Sequence, residues 1–214
     1  MTAFDFISST APGGGNRREA RSHLVTSAPQ LSLNGDWKFR LLPAVPGTLG
    51  GATVLPEGEE PDTFAASEFT DQGWDNLAVP SHWVVTGDGK YGRPEYSNQH
   101  IPIPLNPPFA PDENPTGDYR REFEVPAQWF TDGTYEAFVL RFDGVDSRYK
   151  VWVNGQEIGW GTGSRLTQEF DITDALVPGR NLVAVRVLKW SASTYVEDQD
   201  QWWLPGIYRD VTLL

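Results

Sequence analysis

Residues 148–160 read RYKVWVNGQEIGW, and this stretch decides the class of fold. Apolar and polar side chains alternate on both sides of Asn154-Gly155. Alternation with a period of two is typical of a strand that has one face in the core. Asn-Gly favours the type I′ turn of a two-residue hairpin. The segment therefore predicts two antiparallel strands joined by a tight turn.

The same alternation recurs on both sides of this hairpin. SLNGDWKFRLL (32–42) places Trp37, Phe39 and Leu41 on one face of a strand. The other runs with this pattern are DYRREFEV (118–125), EAFVLRF (136–142), LTQEFDIT (166–173), NLVAVRVL (181–188) and GIYRDVTLL (206–214). About eight strands separated by turn residues, with no convincing amphipathic helix, predict an all-β sandwich or jelly roll with long proline-rich loops.

The remaining segments are interpreted as an arm and loops. Residues 1–28 are rich in Ser, Ala and Gly without an apolar period, which predicts a flexible N-terminal arm before a folded domain over 29–214. Residues 43–70 predict a long loop. Residues 71–117 contain many prolines, which cannot donate to a strand ladder, so we expect extended chain laid over the scaffold. The sequence stops at Leu214 within an apolar strand, and we expect a domain excised from a longer protein.

Composition excludes several classes of function. The formal net charge is -12, which disfavours a nucleic-acid partner. There is no cysteine, so disulfides, thiolate zinc sites and cysteine nucleophiles are excluded. No run of about 18 apolar residues is present to span a membrane, and we found no signal peptide, so we expect a cytoplasmic protein. The three histidines show no metal-ligand spacing and are His23, His82 and His100.

The carboxylates of VEDQDQWW (196–203) form the first candidate site. Glu197, Asp198 and Asp200 lie within four residues, followed by Trp202-Trp203. Clustered oxygen ligands attract a hard cation or accept hydrogen bonds from sugar hydroxyls, and indole rings suit the C–H face of a pyranose. The alternative is a solvated acidic turn whose tryptophans fill a core edge. A catalytic pair of Asp198 and Asp200 is not expected, because nothing would keep one of them protonated.

Asn98, in EYSNQHIPIPL (95–105), is the second candidate. An amide on a stiff, proline-rich segment can read a hydroxyl group through a donor and an acceptor. The alternative is an ordinary turn asparagine. We interpret His100, two residues later, as a loop histidine rather than a base.

Several strings together resemble one family over about residues 30–214. They are LNGDWKFR, VPSHW, YSNQHIPIPLNPPFAPDENPTGDYRREFEVP, FDGVDSRYKVWVNGQEIGWGTGSRLTQEFDIT and LKWSASTYVEDQDQWWLPGIYRDVTLL. They are similar to the N-terminal domain of family 2 glycoside hydrolases, and more narrowly to bacterial β-galactosidases of the lacZ type. The resemblance implies a jelly-roll sugar-binding domain that precedes an immunoglobulin-like domain and a TIM barrel.

The resemblance also implies site residues. In the family, the catalytic glutamates and the Mg²⁺ ligands lie in the barrel, so no catalytic residue is expected in this chain. The family's substrate-contacting asparagine falls on Asn98. Its sodium- and galactose-contacting aspartate falls on Asp200, which would bind Na⁺ as well as a galactosyl hydroxyl. These groups would position the sugar for carboxylates located elsewhere.

Three functional hypotheses follow. The first is the sugar-binding domain of a β-galactosidase, inactive by itself, with a β-galactoside substrate, the remaining domains of the parent enzyme as partners, and a homo-oligomeric full-length form. The second is a carbohydrate-binding module that acts alone, as a lectin does. The third is a structural domain that braces the barrel and builds subunit contacts.

Overall fold

The strands of the protein are short and numerous. A computed structural model describes residues 3–21, 26–52, 54–97, 100–131, 133 and 135–214. The strands are β1 (Gly13–Gly15), β2 (Leu31–Ser32), β3 (Gly35–Leu42), β4 (Asp75–Val79), β5 (Glu95–Tyr96), β6 (Thr116–Val125), β7 (Val139–Phe142), β8 (Val145–Asp146), β9 (Arg148–Val153), β10 (Gln156–Gly161), β11 (Gln168–Asp171), β12 (Gly179–Leu188), β13 (Trp202–Trp203), β14 (Gly206–Ile207) and β15 (Val211–Leu213). The expected all-β class is confirmed, although the strands exceed the expected number because several contain only two residues.

Helices are few in the described part of the chain. The α-helices are α1 (Ala3–Ser8), α2 (Gln128–Thr131) and α3 (Thr194–Glu197), and the 3-10 turns are Thr63–Ala65, Trp83–Val85 and Gly87–Gly89. These segments are too short to show a helical period in the sequence. None of the described helices has the length and apolar character needed to cross a bilayer.

Two antiparallel sheets form the body of the molecule. The larger sheet has the order β1-β10-β9-β12-β6-β3-β4, and the smaller has the order β11-β7-β15-β2. One large apolar core takes side chains from both sheets, including Trp37, Tyr119, Val185, Phe142 and Val211. The alternation of apolar and polar residues in the sequence therefore marks the strand face that lies in the core, as predicted, because successive side chains of a strand point to opposite faces.

The hairpin predicted from residues 148–160 is confirmed. β9 and β10 pair antiparallel, and Val153 faces Gln156 across the turn. Asn154 and Gly155 have φ angles of 50° and 82°, as the two central positions of a type I′ turn require. The Asn154 side chain also donates from Nδ2 to the Ala175 carbonyl at 2.9 Å, which ties the turn to the neighbouring loop.

The N-terminal segment differs from the expected flexible arm. Within residues 3–21, β1 pairs with β10 and thereby extends the larger sheet. Phe6 and Ile7 of α1 are buried beside Trp160. Arg148 donates to the Phe6 carbonyl and to the Ser9 carbonyl, so it satisfies the end of α1. α1 and β1 thus pack on the sandwich, whereas residues 18–21 are exposed, and the flexible arm and the domain boundary at residue 29 stay predictions.

Replacing Phe6 by alanine tests this packing. The Phe6 ring meets the Trp160 ring edge to face with centroids 5.9 Å apart. We expect the free energy of unfolding to fall by about 2 kcal/mol, the value of burying one phenylalanine side chain. Urea denaturation measures the change, with the highly exposed Leu49→Ala as the control that should leave stability unaltered. Equal midpoints for Phe6→Ala and the wild type would mean that the segment is detached after all.

A set of charged side chains, most of them buried or partly buried, lies on the face of the larger sheet that points away from the core. We call Arg40, Glu59, Asp62, Asp118 and Arg186 the charged layer. Asp118 on β6 stands in register with Arg40 on β3 and with Arg186 on β12. Arg186 donates to Asp118 from Nε at 2.7 Å and from Nη2 at 2.9 Å, and Arg40 donates to it from Nη2 at 3.0 Å. Glu59 and Asp62 belong to the loop predicted over 43–70. Glu59 forms an ion pair with Arg40, and Asp62 forms one with Arg186.

The loop predicted over 43–70 covers this charged layer. Phe64, in the middle of the loop, is fully buried, and the Arg186 guanidinium lies 4.6 Å from the centre of its ring. Arg120 on β6 donates to the carbonyls of Phe64, Ala66 and Phe69. The loop is thus tied to the sheet through its own backbone, and it covers Asp118 and Arg120 on the polar face of β6, while Glu122 and Glu124 further along that face are exposed.

The proline-rich region is partly more regular than expected. Residues 75–79 form β4, which pairs with β3 from Gly35↔Val79 to Phe39↔Asp75, so the irregular character expected for the whole of 71–117 is wrong there. The segment DNLAV is too short to stand out from its surroundings. Between residues 100 and 115 the chain contains bends and turns but no strand, and the extended chain expected there stays a prediction.

Candidate functional site

The two candidate strings of the sequence meet through a two-stranded ladder. β5 and β13 pair antiparallel, with Tyr96 opposite Trp202 and Glu95 opposite Trp203. Each strand has only two residues, so neither is visible as a period in the sequence. The pairing brings the end of β5 beside the acidic segment 197–201, which lies between α3 and β13.

Two hydroxyl groups hold the acidic segment against the end of β5. The Tyr96 hydroxyl donates to Asp200 Oδ1, and Ser97 Oγ donates to Asp198 Oδ1. Asp200 is exposed, whereas Ser97 is buried. Asn98 follows Ser97 directly in the chain but lies outside the described residues. The structure therefore joins Asp200 to the segment that leads to Asn98, and the role predicted for Asn98 is not tested.

The sequence left open whether Trp202 and Trp203 contact a sugar or fill a core edge, and the structure gives a different answer for each. Trp203 is 1% exposed and stacks on Trp190 with ring centroids 5.5 Å apart, so it fills a core edge. Trp202 is 56% exposed, and its ring centroid lies 5.5 Å from that of Tyr96. Neighbouring residues of a strand point to opposite faces, which explains the difference. One exposed indole face, rather than two, is available beside Asp200.

Contacts behind the ladder fix the orientation of β13. Trp203 Nε1 donates to the Lys189 carbonyl at 3.1 Å. Lys189 Nζ in turn donates to Glu95 Oε1 at 2.8 Å, so Lys189 contacts both strands of the ladder. No local pattern in the sequence marks Tyr96, Ser97 or Lys189 as site residues, because their roles depend on contacts between positions about one hundred residues apart.

Glu197 is the member of the acidic triplet that faces inward. Its carboxylate accepts hydrogen bonds from the Gly163 N–H at 3.1 Å and from the Ser164 N–H at 3.2 Å. Ser164 Oγ also donates to it. Two backbone N–H groups and a hydroxyl satisfy the charge, so Glu197 anchors the segment and is not offered to a ligand.

The metal-binding capacity of the site is limited. No group of three or more His, Cys, Asp or Glu side chains suited to a metal ion occurs among the described residues. Asp200 Oδ1 accepts from Tyr96, while Oδ2 accepts no hydrogen bond from the described part of the chain. A carboxylate oxygen of this kind fits a hard cation such as Na⁺ as one ligand of a shell that other groups must complete.

Two titratable groups near Arg165 have shifted pKa values. Burial raises the pKa of Asp146 on β8 to about 7, against the lowering influence of Arg165, and Asp146 Oδ1 has no hydrogen-bond partner within the described structure. Burial lowers the pKa of His82, whose ring stacks on Tyr208 with centroids 4.7 Å apart. His100 is exposed in an irregular segment, as expected of a loop histidine.

A cleft of about 410 Å³ elsewhere on the surface does not contain these groups. It lies between α1, the loop 43–70 and the larger sheet. Its charged walls are already paired: Lys150 Nζ donates to Glu157 Oε2 at 3.2 Å, and Arg186 binds Asp118 and Asp62. Asp200 lies instead on an open face, where it can form only one wall of a pocket.

An exposed carboxylate and an exposed indole that both contact Tyr96, on a β-sandwich, are suited to contact with a carbohydrate. The family model of the glycosyl hydrolases family 2 sugar-binding domain matches residues 31–214. The chain belongs to this family, which confirms the resemblance found in the sequence.

The relatives of the chain are much longer than the chain itself. It is 62% identical over 208 residues to a β-galactosidase of Arthrobacter sp. (strain B7), covering 97% of this chain and 20% of that protein. It is 44% identical over 201 residues to a β-galactosidase of Kluyveromyces lactis, covering 93% and 18%. A β-glucuronidase structure from Bifidobacterium dentium shares the fold, with a TM-score of 0.58 and 19% identity over 91% of this chain and 31% of that one. The chain thus spans about a fifth of the curated relatives it matches.

Proposed function

We propose that the chain is the sugar-binding domain of a β-galactosidase, and that Asp200 and Asn98 form one wall of the galactoside pocket. The catalytic glutamates and the Mg²⁺ site lie in the remaining domains of the parent enzyme. By itself the chain hydrolyses no galactoside. The similarity to the Arthrobacter and Kluyveromyces β-galactosidases supports the substrate class.

The observation that carries this proposal is the contact between Tyr96 and Asp200. It orients one exposed carboxylate beside the exposed face of Trp202, at the end of the strand that leads to Asn98. Carboxylate oxygens accept hydrogen bonds from sugar hydroxyls, and an aromatic face contacts the apolar side of the ring. In this role Asp200 offers Oδ2 to a galactosyl hydroxyl and to Na⁺, and Asn98 fixes the orientation of the sugar.

An apolar surface next to the site suits contact with the rest of the enzyme. Val196 on α3 and Leu105 in the proline-rich segment are both exposed, and Phe109 is partly exposed. Tyr195 donates from its hydroxyl to the carbonyls of Pro104 and Phe109, so α3 and the proline-rich segment form one surface. Contiguous exposed apolar side chains on a folded domain are typical of an interface. The bracing role and the sugar-contacting role are therefore compatible.

Replacing Asp200 by alanine tests the proposed pocket. The matching 208 residues of the Arthrobacter enzyme are exchanged for this chain, and hydrolysis of a nitrophenyl β-galactoside is measured at several Na⁺ concentrations. We expect kcat/KM to fall by about 10- to 100-fold, the loss of a hydrogen bond to a charged group, and the dependence on Na⁺ to weaken with it.

The matched control is Asp75→Ala. Asp75 also accepts a tyrosine hydroxyl, from Tyr91 at 2.8 Å, but lies on β4. Its removal should leave KM and the Na⁺ response unaltered. An Asp200→Ala enzyme with the wild-type KM and Na⁺ response would refute the assignment.

The lectin hypothesis is decided by calorimetry on the chain alone. The open face around Asp200 predicts no galactose binding at millimolar concentration, and measurable binding would favour the module that acts alone. The homo-oligomeric form and the cytoplasmic location stay predictions from the sequence.

A further inference from the structure

One arginine contacts both ends of the acidic segment 197–201. Arg165 Nη1 lies 3.9 Å from Glu197 Oε2. At the other end, the Gln201 amide faces the same guanidinium, and with its oxygen turned towards Arg165 it accepts from Nη2 at 2.5 Å and from Nε at 3.3 Å. The planar guanidinium presents donors in several fixed directions, so one side chain can serve both ends.

The loop that carries Arg165 is itself firmly held. Arg165 lies between β10 and β11. Tyr208 donates from its hydroxyl to the Ser164 carbonyl at 2.8 Å, and Arg209 Nη1 donates to the Arg165 carbonyl at 3.2 Å. Asp146 Oδ2 lies 3.8 Å from Arg165 Nη2 on the side of the core. Arg165 therefore extends from a fixed backbone towards the acidic segment.

Gly163 and Ser164 also hold Glu197, but beyond this residue the acidic segment has few other supports. Ser97 and Tyr96 hold its side chains at Asp198 and Asp200, and the Gln201 N–H donates to the Gln199 carbonyl at 2.7 Å. Asp200 and Gln199 are exposed. A segment with few buried contacts opens locally at low free-energy cost unless something ties its ends.

We propose that Arg165 is a positioning residue that fixes the backbone of residues 198–200, and so the carboxylate of Asp200, by binding Glu197 and Gln201 at once. The inference rests on the proposed function for its effect on sugar binding, but not for its effect on local order. Arg165 is 34% exposed and its ion pairs are long, so its contribution to overall stability is small. Its main effect is on the geometry of the site.

Hydrogen exchange on the chain tests the effect on local order. In Arg165→Ala, exchange of the amides of residues 163–164 and 198–201 should accelerate by about tenfold, while the strands of the larger sheet keep their protection. Arg165→Lys should restore only part of the protection, because an ammonium group can reach Glu197 but cannot bind both ends. The control is Arg121→Ala, since Arg121 is also partly buried and donates to a backbone carbonyl, that of Asp36, at 2.8 Å.

Kinetics of the Arthrobacter chimera test the effect on the site. Arg165→Ala should raise KM for the galactoside by about fivefold with kcat little changed, and should have no further effect in an Asp200→Ala background, because both changes act on the same contact. Unchanged exchange at 163–164 and 198–201, or an unchanged KM where Asp200→Ala raises it, would overturn the role of Arg165. If Asp200→Ala itself leaves KM unaltered, the proposed function fails, and the exchange experiment alone decides whether Arg165 orders the segment.

Discussion

Replacing Asp118 by alanine is expected to lower the free energy of unfolding by about 3–5 kcal/mol, the cost of leaving a buried charge without its partner. Asp118 is fully buried and accepts from both Arg186 and Arg40. Arg186 is buried as well, so its charge would remain in the interior beside the more distant Asp62. Urea denaturation followed by circular dichroism measures the loss.

The matched control lies on the same pair of strands. Glu122 on β6 pairs with Arg180 on β12, but both side chains are largely exposed. Glu122→Ala should therefore cost less than about 1 kcal/mol. If Asp118→Ala proves too unstable to purify, Asp118→Asn keeps the shape of the side chain and should still be clearly less stable than Glu122→Ala. Equal stabilities of the Asp118 and Glu122 variants would contradict the interpretation of the charged layer.

The second large effect is a dependence of stability on pH that originates in Asp146. Burial raises its pKa from the ordinary 3.8 to about 7 in the folded chain. Between these two pH values the unfolded chain releases the proton while the folded chain retains it. Stability relative to Asp146→Asn should thus fall as pH rises from about 4 to about 7, by about 1.4 kcal/mol per pH unit and by up to about 4 kcal/mol in total.

Denaturation of the wild type and Asp146→Asn at a series of pH values measures this difference. The charged and polar groups around Asp146 are Arg165, Glu197, Ser164 and Tyr208, and all four are retained in the variant. Their own titrations therefore largely cancel between the two proteins. Should the variant fail to fold, a ¹³C titration of the Asp146 carboxyl group gives the pKa directly. A difference curve that is flat between pH 4 and pH 7 would contradict the assignment.

The parts of the fold that sequence predicts well are those with a local cause. The type I′ turn at Asn154-Gly155 depends on two adjacent residues, and the inward face of β15 depends on a period of two, so Val211 and Leu213 are buried as expected. The burial of Phe6 has no local cause. It depends on Trp160, which is far away in the chain, and a helix of six residues leaves no period by which to find it.

The site shows the same division. Asp200 and Trp202 stand out in the sequence as an acid and an aromatic residue in an unusual string, and both are exposed in the structure. Tyr96 is unremarkable until β5 and β13 pair and bring its hydroxyl to Asp200. The different fates of Trp202 and Trp203 follow from strand geometry, but only once it is known that these two residues form a strand.

The position of β15 has a consequence for biosynthesis. This strand lies between β7 and β2 in the smaller sheet, so that sheet cannot close until residues 211–213 have left the ribosome. At usual elongation rates, the roughly 70 residues from the end of β7 to β15 take about 4–14 s to synthesise. During this time the edges of β7 and β2 are open to pairing with other polypeptides. We therefore expect the demand for chaperones and the loss of protein to inclusion bodies to increase when the synthesis of β15 is delayed.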